Sequence, residues 1–186
     1  MKLLFVLGTR PEIIKLAPVI AEARRRKHQV KVVMTGQHKE MATPLIKFFR
    51  LKPNFDLVAA SRRQSLSELT GTVLERLSSK LGSWRPDYVL VQGDTTTAFA
   101  AAYWAFCHKI KVAHVEAGLR TYNLASPYPE EGNRQLIGRI ATRHFAPTKE
   151  SKKTLINEQI KTKNISVVNN TGIDALFYTL GQIKKQ

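Results

Sequence analysis

Residues 87–116 read DYVLVQGDTTTAFAAAYWAFCHKIKVAHVE, and this stretch decides the fold. Two short apolar runs, Tyr88 to Val91 and Ile110 to Val115, each lead into a small-residue turn that carries an acid, Asp94 in the first and Glu116 in the second. Between them, Thr95 to Cys107 has the length and alanine content of a buried crossover helix. The unit therefore reads strand, acidic turn, helix, strand, acidic turn. In a parallel sheet the carboxyl ends of the strands open onto the crevice where ligands bind, so an acid just past a strand is placed for chemistry. A third acidic turn, Pro127-Tyr128-Pro129-Glu130-Glu131, stands at the start of the next predicted helix.

The same alternation extends in both directions. Lys2 to Leu7 predicts a strand, and Gly8-Thr9-Arg10-Pro11-Glu12 turns from it into a helix with proline in its first turn. Ile13, Leu16, Ala17, Ile20 and Ala21 recur at helical spacing and predict its buried face, with Pro18 bending it. Free N–H groups at such a helix start make an anion site, to which Arg10 and Lys15 add positive charge. Gln29 to Thr35 predicts a second strand, followed by a Gly36-Gln37-His38 turn, a helix from about Glu40 to Arg50 and a short strand over Phe55 to Ala59. Ser61 to Gln64 is a polar linker before the amphipathic run marked by Leu66, Leu69, Val73, Leu74, Leu77 and Leu81.

Beyond Glu116, residues 117–129 show no periodicity, and an irregular loop of that length in a compact domain is expected to be functional. A helix over Glu130 to Arg143 follows, with Leu136, Ile137 and Ile140 inward, then a strand over His144 to Pro147 and a helix capped by Thr148. Ile165 to Val168 is a last strand, and Asn169 to Gly172 turns into a segment over Ile173 to Leu180. Strands alternating with helices predict an α/β fold, a three-layer, doubly wound parallel sheet of Rossmann-like type.

Composition narrows the function classes. With 186 residues, 43% hydrophobic and 24% charged, the chain has the make-up of a soluble globular protein. The apolar run Leu3 to Leu7 is too short to span a bilayer, and a cytoplasmic protein without a membrane partner is expected. Cys107 is the one cysteine, expected as a buried, inert thiol, and no Cys/His cluster has zinc-ligand spacing. The net charge of +16 is the unusual bulk property. Apart from Arg24 to Lys27 and Lys152-Lys153 the cations are scattered singly, without the interleaved aromatics that stack bases, which weighs against a nucleic-acid partner.

Asp94, Glu116 and Glu130 are thus candidates to converge on one crevice with Arg10 and Lys15. Clustered carboxylates raise one another's pKa, which suits one of them to acid or base work near neutral pH. Plainer roles stand beside these: Asp94 as the cap of the following helix, and Glu130 or Glu131 as a charge favouring a helix N-terminus.

Four blocks carry a family resemblance: Gly8-Thr9-Arg10-Pro11-Glu12 with Lys15, Gly93-Asp94-Thr95-Thr96-Thr97, His114-Val115-Glu116-Ala117-Gly118-Leu119-Arg120, and Ser126-Pro127-Tyr128-Pro129-Glu130-Glu131. In order and spacing they resemble the signature blocks of the non-hydrolysing UDP-N-acetylglucosamine 2-epimerases. The resemblance implies interconversion of UDP-N-acetylglucosamine and UDP-N-acetylmannosamine for cell-surface polysaccharides, by elimination of UDP to 2-acetamidoglucal and re-addition, with no cofactor and no metal. It implies Asp94, Glu116 and Glu130 as catalytic carboxylates, Arg10 and Lys15 as substrate contacts, and Gln37, Glu40, Arg63 and Gln64 at a second UDP-sugar site. It also implies one half of a two-domain, glycosyltransferase-like architecture and a homodimer. On that reading residues 1–168 are the N-terminal domain, inactive alone, and 169–186 begin the crossing segment. The competing expectation is a non-catalytic assembly module that pairs with a separate C-terminal nucleotide-binding chain.

Overall fold

The structure is a computed structural model that describes residues 1–36, 39–57 and 64–184, the side chains of 39–41 excepted. Seven parallel strands form one sheet in the order β3-β2-β1-β4-β5-β6-β7. They are β1 (Lys2–Leu7), β2 (Gln29–Met34), β3 (Phe55–Asp56), β4 (Tyr88–Gln92), β5 (Lys111–Val115), β6 (Arg143–Ala146) and β7 (Ile165–Val167). The connecting helices are α1 (Arg10–Arg25), α2 (Lys39–Phe48), α3 (Leu66–Leu81), α4 (Thr96–Cys107), α5 (Glu130–Ile140) and α6 (Lys149–Asn157), with α7 (Thr171–Ile183) closing the chain. The doubly wound architecture expected from the alternation is present.

Helices pack on both faces of the sheet, so its central strands are apolar on successive residues. Leu3, Phe5 and Leu7 of β1 point to one side and pack with Ile13, Leu16, Ala17 and Ile20 of α1. Leu4 and Val6 point to the other, where they meet Leu69, Val73 and Leu77 of α3 and the alanines of α4. Pro18 lies inside α1 without ending it. The chain winds from β1 toward β3 on one side and from β4 toward β7 on the other. Between β1 and β4 lies the switch point, where α1 and α4 leave on opposite faces and a crevice opens.

Gly8 makes that junction close. A Cβ at this position would lie 2.3 Å from Thr97 Oγ1 and 2.7 Å from Thr35 Oγ1, so only glycine lets the β1 turn approach α4.

Several local expectations shift. Ala21 is exposed and Ala23 is buried instead. Leu136 is 52% exposed, because the inner face of α5 is set by Glu131, Asn133, Ile137 and Gly138. Cys107 is exposed at the last residue of α4; an apolar helix hides in its sequence which positions meet water. Strand β3 covers only Phe55 and Asp56; Leu57, expected to continue it, lies beyond the strand, and 58–59 lie outside the described residues.

Candidate active site

The crevice at the switch point has a volume of about 330 Å³ and is lined by Thr9, Lys15, Gln92, Asp94, Glu116 and Glu130 among others. Three of these carboxylates and the lysine are the residues that the turn positions single out. They come from four different elements: Lys15 from α1, Asp94 from the turn after β4, Glu116 from the turn after β5, and Glu130 from the first residue of α5. Arg10 stands between two lining residues, Thr9 and Pro11, with its own side chain in solvent.

The β1 turn already holds an anion of its own. Glu12 is fully buried, and its carboxylate accepts from Gly8 N–H (2.9 Å), Thr9 N–H (2.5 Å) and Thr95 Oγ1 (2.7 Å). Burial pushes its pKa up, against the pull of those donors. Two of the donors expected to hold an external anion are therefore taken by Glu12. In exchange the carboxylate ties the turn before α1 to the turn before α4, which fixes Lys15 relative to Asp94.

Asp94 does not cap α4. The cap is Thr95, whose side chain accepts from Ala98 N–H at 3.0 Å, and the neighbouring carboxylate is left to face the crevice. There Arg134 Nη2 lies 2.5 Å from Asp94 Oδ2. Burial raises the Asp94 pKa, Arg134 opposes the rise, and the negative fields of Glu130 and Glu116 add to it. The turn is also braced from behind: Asn133 Nδ2 donates to the Asp94 carbonyl at 2.9 Å, and His114 Nε2–H donates to the Gly93 carbonyl at 2.7 Å.

Glu116 has a left-handed backbone, φ 65°, rare for a residue with a side chain. Its Oε2 is 2.5 Å from Lys15 Nζ and accepts from Gln92 Nε2, and its Oε1 lies 3.5 Å from Asn170 Nδ2. A carboxylate at the end of a buried strand needs partners, and these supply them.

The two acids that open α5 divide cleanly. Glu130 lines the crevice, and its side chain makes no hydrogen bond or ion pair among the described residues. Glu131 is fully buried and accepts from Thr121 N–H (2.9 Å), Tyr122 N–H (3.1 Å) and Gln135 Nε2 (2.7 Å). Burial pushes its pKa up, but the donors outweigh it and hold it below the usual carboxylate range. Glu131 thus pins the irregular loop that precedes α5. Arg120 does similar work at the loop's other end, with Nε and Nη2 reaching both oxygens of Glu158 at 2.8 and 2.9 Å.

Gln92, Arg134, Asn133, His114 and Asn170 are the site residues that sequence reasoning passed over. One signal was present for Arg134, which follows Glu130 at one helical turn. Of the residues expected at a second sugar-nucleotide site, Gln37, Arg63 and the side chain of Glu40 lie outside the described residues, while Gln64 hydrogen-bonds Thr72 Oγ1 at 3.2 Å. No helix among the described residues is long and apolar enough to cross a membrane.

Chemically the crevice sets a carboxyl of raised pKa beside two further carboxylates and two cations, equipment for moving a proton to and from carbon or oxygen. Comparison with known proteins identifies relatives of the chain. The model of the UDP-N-acetylglucosamine 2-epimerase family matches residues 21–186. A UDP-N-acetylglucosamine 2-epimerase of Salmonella borreze is 49% identical over 183 residues, covering 98% of this chain and 48% of the relative. Among solved structures, the Neisseria meningitidis UDP-GlcNAc 2-epimerase bound to UDP-GlcNAc superposes with a TM-score of 0.94 at 48% identity, over 99% of this chain and 51% of the other. The Methanocaldococcus jannaschii UDP-GlcNAc 2-epimerase in complex with UDP-GlcNAc and UDP gives 0.93 at 39% identity, over 100% and 51%. The chain spans about half the length of the curated relatives it matches.

Proposed function

The chain belongs to the UDP-N-acetylglucosamine 2-epimerase family, and from that premise we propose that its crevice receives the sugar of UDP-N-acetylglucosamine and epimerises it at C2. One carboxylate removes the C2 proton as the C1–O bond breaks and UDP departs with the electron pair, leaving 2-acetamidoglucal. UDP then adds back at C1 while C2 is protonated on the opposite face, giving UDP-N-acetylmannosamine. Asp94, Glu116 and Glu130 are the proton-handling groups, Lys15 and Arg10 contact substrate, and no cofactor enters the scheme.

The observation that carries this reading is the grouping of those three carboxylates in one crevice, with burial raising the pKa of Asp94. A group poised nearer neutrality serves as base in one direction and acid in the other. We further propose that residues outside the 186 hold the uridine and much of the diphosphate, with residues 169–186 leading toward them, and that the whole protein works in the cytoplasm. Gln37, Glu40, Arg63 and Gln64 are our candidates for a second UDP-sugar site. A homodimer is proposed on the exposed side of α4 and α5, where Tyr103, stacked on Phe99, and Leu136 face outward. The assembly-module reading loses ground because the crevice is lined by acids and does not offer its basic surplus to an acidic partner.

The test is hydrogen exchange at C2. This chain, joined to the half of the Neisseria meningitidis enzyme that it does not cover, is incubated with UDP-N-acetylglucosamine in deuterated water and followed by NMR. Loss of the C2–H signal with appearance of the manno product is expected, and Glu116→Gln abolishes both. An active Glu116→Gln protein, or an inert but folded parent, would overturn the assignment.

A further inference from the structure

Six of the cations scattered singly along the sequence are gathered by the fold at one end of the sheet. In a parallel α/β domain every strand begins, and every helix between strands ends, at the same end of the sheet. Lys2, Lys111 and Arg143 are the first residues of β1, β5 and β6, and all three are exposed. The loops that feed adjacent strands bring exposed Arg85, Lys109 and Lys163 to the same end. Hydrogen bonds knit this row together: Arg85 Nη2 donates to the His108 carbonyl at 2.9 Å, and Arg143 Nη1 to the Lys163 carbonyl at 2.7 Å. Acids at this end are already engaged. Glu22 is held by Arg25 and Arg26 at 2.7 Å, and Asp87 accepts from Lys2 N–H at 2.7 Å. The result is a positive end opposite the acidic crevice.

A second observation narrows the partner. A cavity of about 290 Å³ opens at the same end between the ends of α3 and α4, with Leu81, Ile110 and Trp104 among its apolar lining and Arg85, His108 and Ser83 among its polar lining. An apolar interior with a cationic rim suits an amphiphile with a phosphate head. The aromatic rings nearby are not offered to bases. Lys31 Nζ lies 4.5 Å from the ring centre of Trp84 and 5.2 Å from that of Phe55, and Lys111 Nζ lies 5.5 Å from that of Tyr88. Five adjacent strands spread the cations over a width of roughly 20 Å, which matches a plane of charge better than a groove. We propose that this end of the domain docks on an anionic phospholipid surface, a peripheral association that needs no spanning helix and is independent of the chemistry in the crevice.

The test is co-sedimentation of the chain with vesicles of phosphatidylcholine alone and of equal parts phosphatidylcholine and phosphatidylglycerol. Binding is expected to the second only, and to fall steeply as salt is raised. Lys109→Glu with Lys163→Glu is expected to weaken it by roughly tenfold or more. Lys149→Glu with Lys153→Glu, an equal charge change on α6, leaves it close to the parent; circular dichroism confirms that both variants fold. Failure to bind phosphatidylglycerol vesicles at low salt would overturn the proposal, as would equal losses in the two double variants. Tighter binding to a short RNA or DNA than to the vesicles, lost in the same Lys109/Lys163 variant, would reassign the surface to nucleic acid.

Discussion

The Lys15 ammonium sits 2.5 Å from Oε2 of Glu116, joining α1 to the turn after β5 across the switch point of the sheet. Both side chains are partly screened from water, at 25% and 15% exposure, so the pair is expected to add no more than about 1 kcal/mol to stability. Its weight falls on the site. In Lys15→Met the melting temperature should change little, while C2 exchange by the joined protein should fall at least about tenfold, with partial recovery in Lys15→Arg. Unchanged exchange would show that the pair is only a surface contact.

The two acids that open α5 should separate by experiment. Glu130→Gln is expected to cut turnover by roughly 10²–10⁴-fold and leave chemical denaturation unchanged, since the side chain supports nothing else in the fold. Glu131→Leu strands the N–H groups of Thr121 and Tyr122 and should cost about 2–3 kcal/mol of stability. Urea titrations of both variants beside the parent check this contrast.

Arg134 governs the protonation of Asp94. It is the largest influence opposing the burial that raises this pKa, so removing its charge favours the neutral acid further. If ionised Asp94 is the working base, Arg134→Gln moves the acid limb of the pH–rate profile to higher pH. A profile that keeps its position in the variant would separate Asp94 from the proton transfer.

Histidine gives stability a pH dependence of known sign. Burial holds the His114 pKa down to about 3, below its ordinary value of 6.5, and His144 beside it is lowered for the same reason. The folded chain therefore binds fewer protons than the unfolded one across this window. Stability is full above about pH 6.5 and falls as the pH drops toward 3, by up to about 1.4 kcal/mol per pH unit for His114. His114→Gln, which keeps a donor for the Gly93 carbonyl, should flatten that slope in denaturation experiments run from pH 7 to pH 4.

Close approach at the β1 turn predicts a backbone-scale defect from one methyl group. Gly8→Ala must push Thr97 and Thr35 aside and should cost about 1–3 kcal/mol. Thr97→Ser with Gly8→Ala does not relieve it, because the hydroxyl that blocks the methyl remains. Thermal melts of the single and double variants measure the effect.

Much of this was legible in the sequence, and the limits have physical causes. Period and turn chemistry place the strands, and a residue just past a parallel strand faces the crevice whatever its partners, so Asp94 and Glu116 are legible as crevice residues by position, and Glu130 by standing at a helix start on the same end of the sheet. Partners are another matter. Whether Asp94 or Thr95 caps α4 depends on which side chain folds back, and Thr95 also satisfies Glu12, eighty-three residues away in sequence. Gln92, Asn133 and Asn170 acquire roles through contacts made only once the sheet is assembled. Cys107 is misread because apolar residues around most of α4 leave no stripe to read, and Leu136 because the inner face of α5 is built largely from polar residues and glycine, which apolar spacing does not mark.

Strand β4 has five residues and is therefore roughly 17 Å long, and it separates the basic end from the acidic crevice. At physiological ionic strength the field of a surface charge decays over about 8 Å. The six cations of that end are thus electrically remote from the crevice, and they exert almost no pull on an anionic nucleotide arriving there. Capture of such a ligand is left to diffusion and to the cations nearer the mouth, and its on-rate should respond to Arg10 far more than to Lys109 or Lys163.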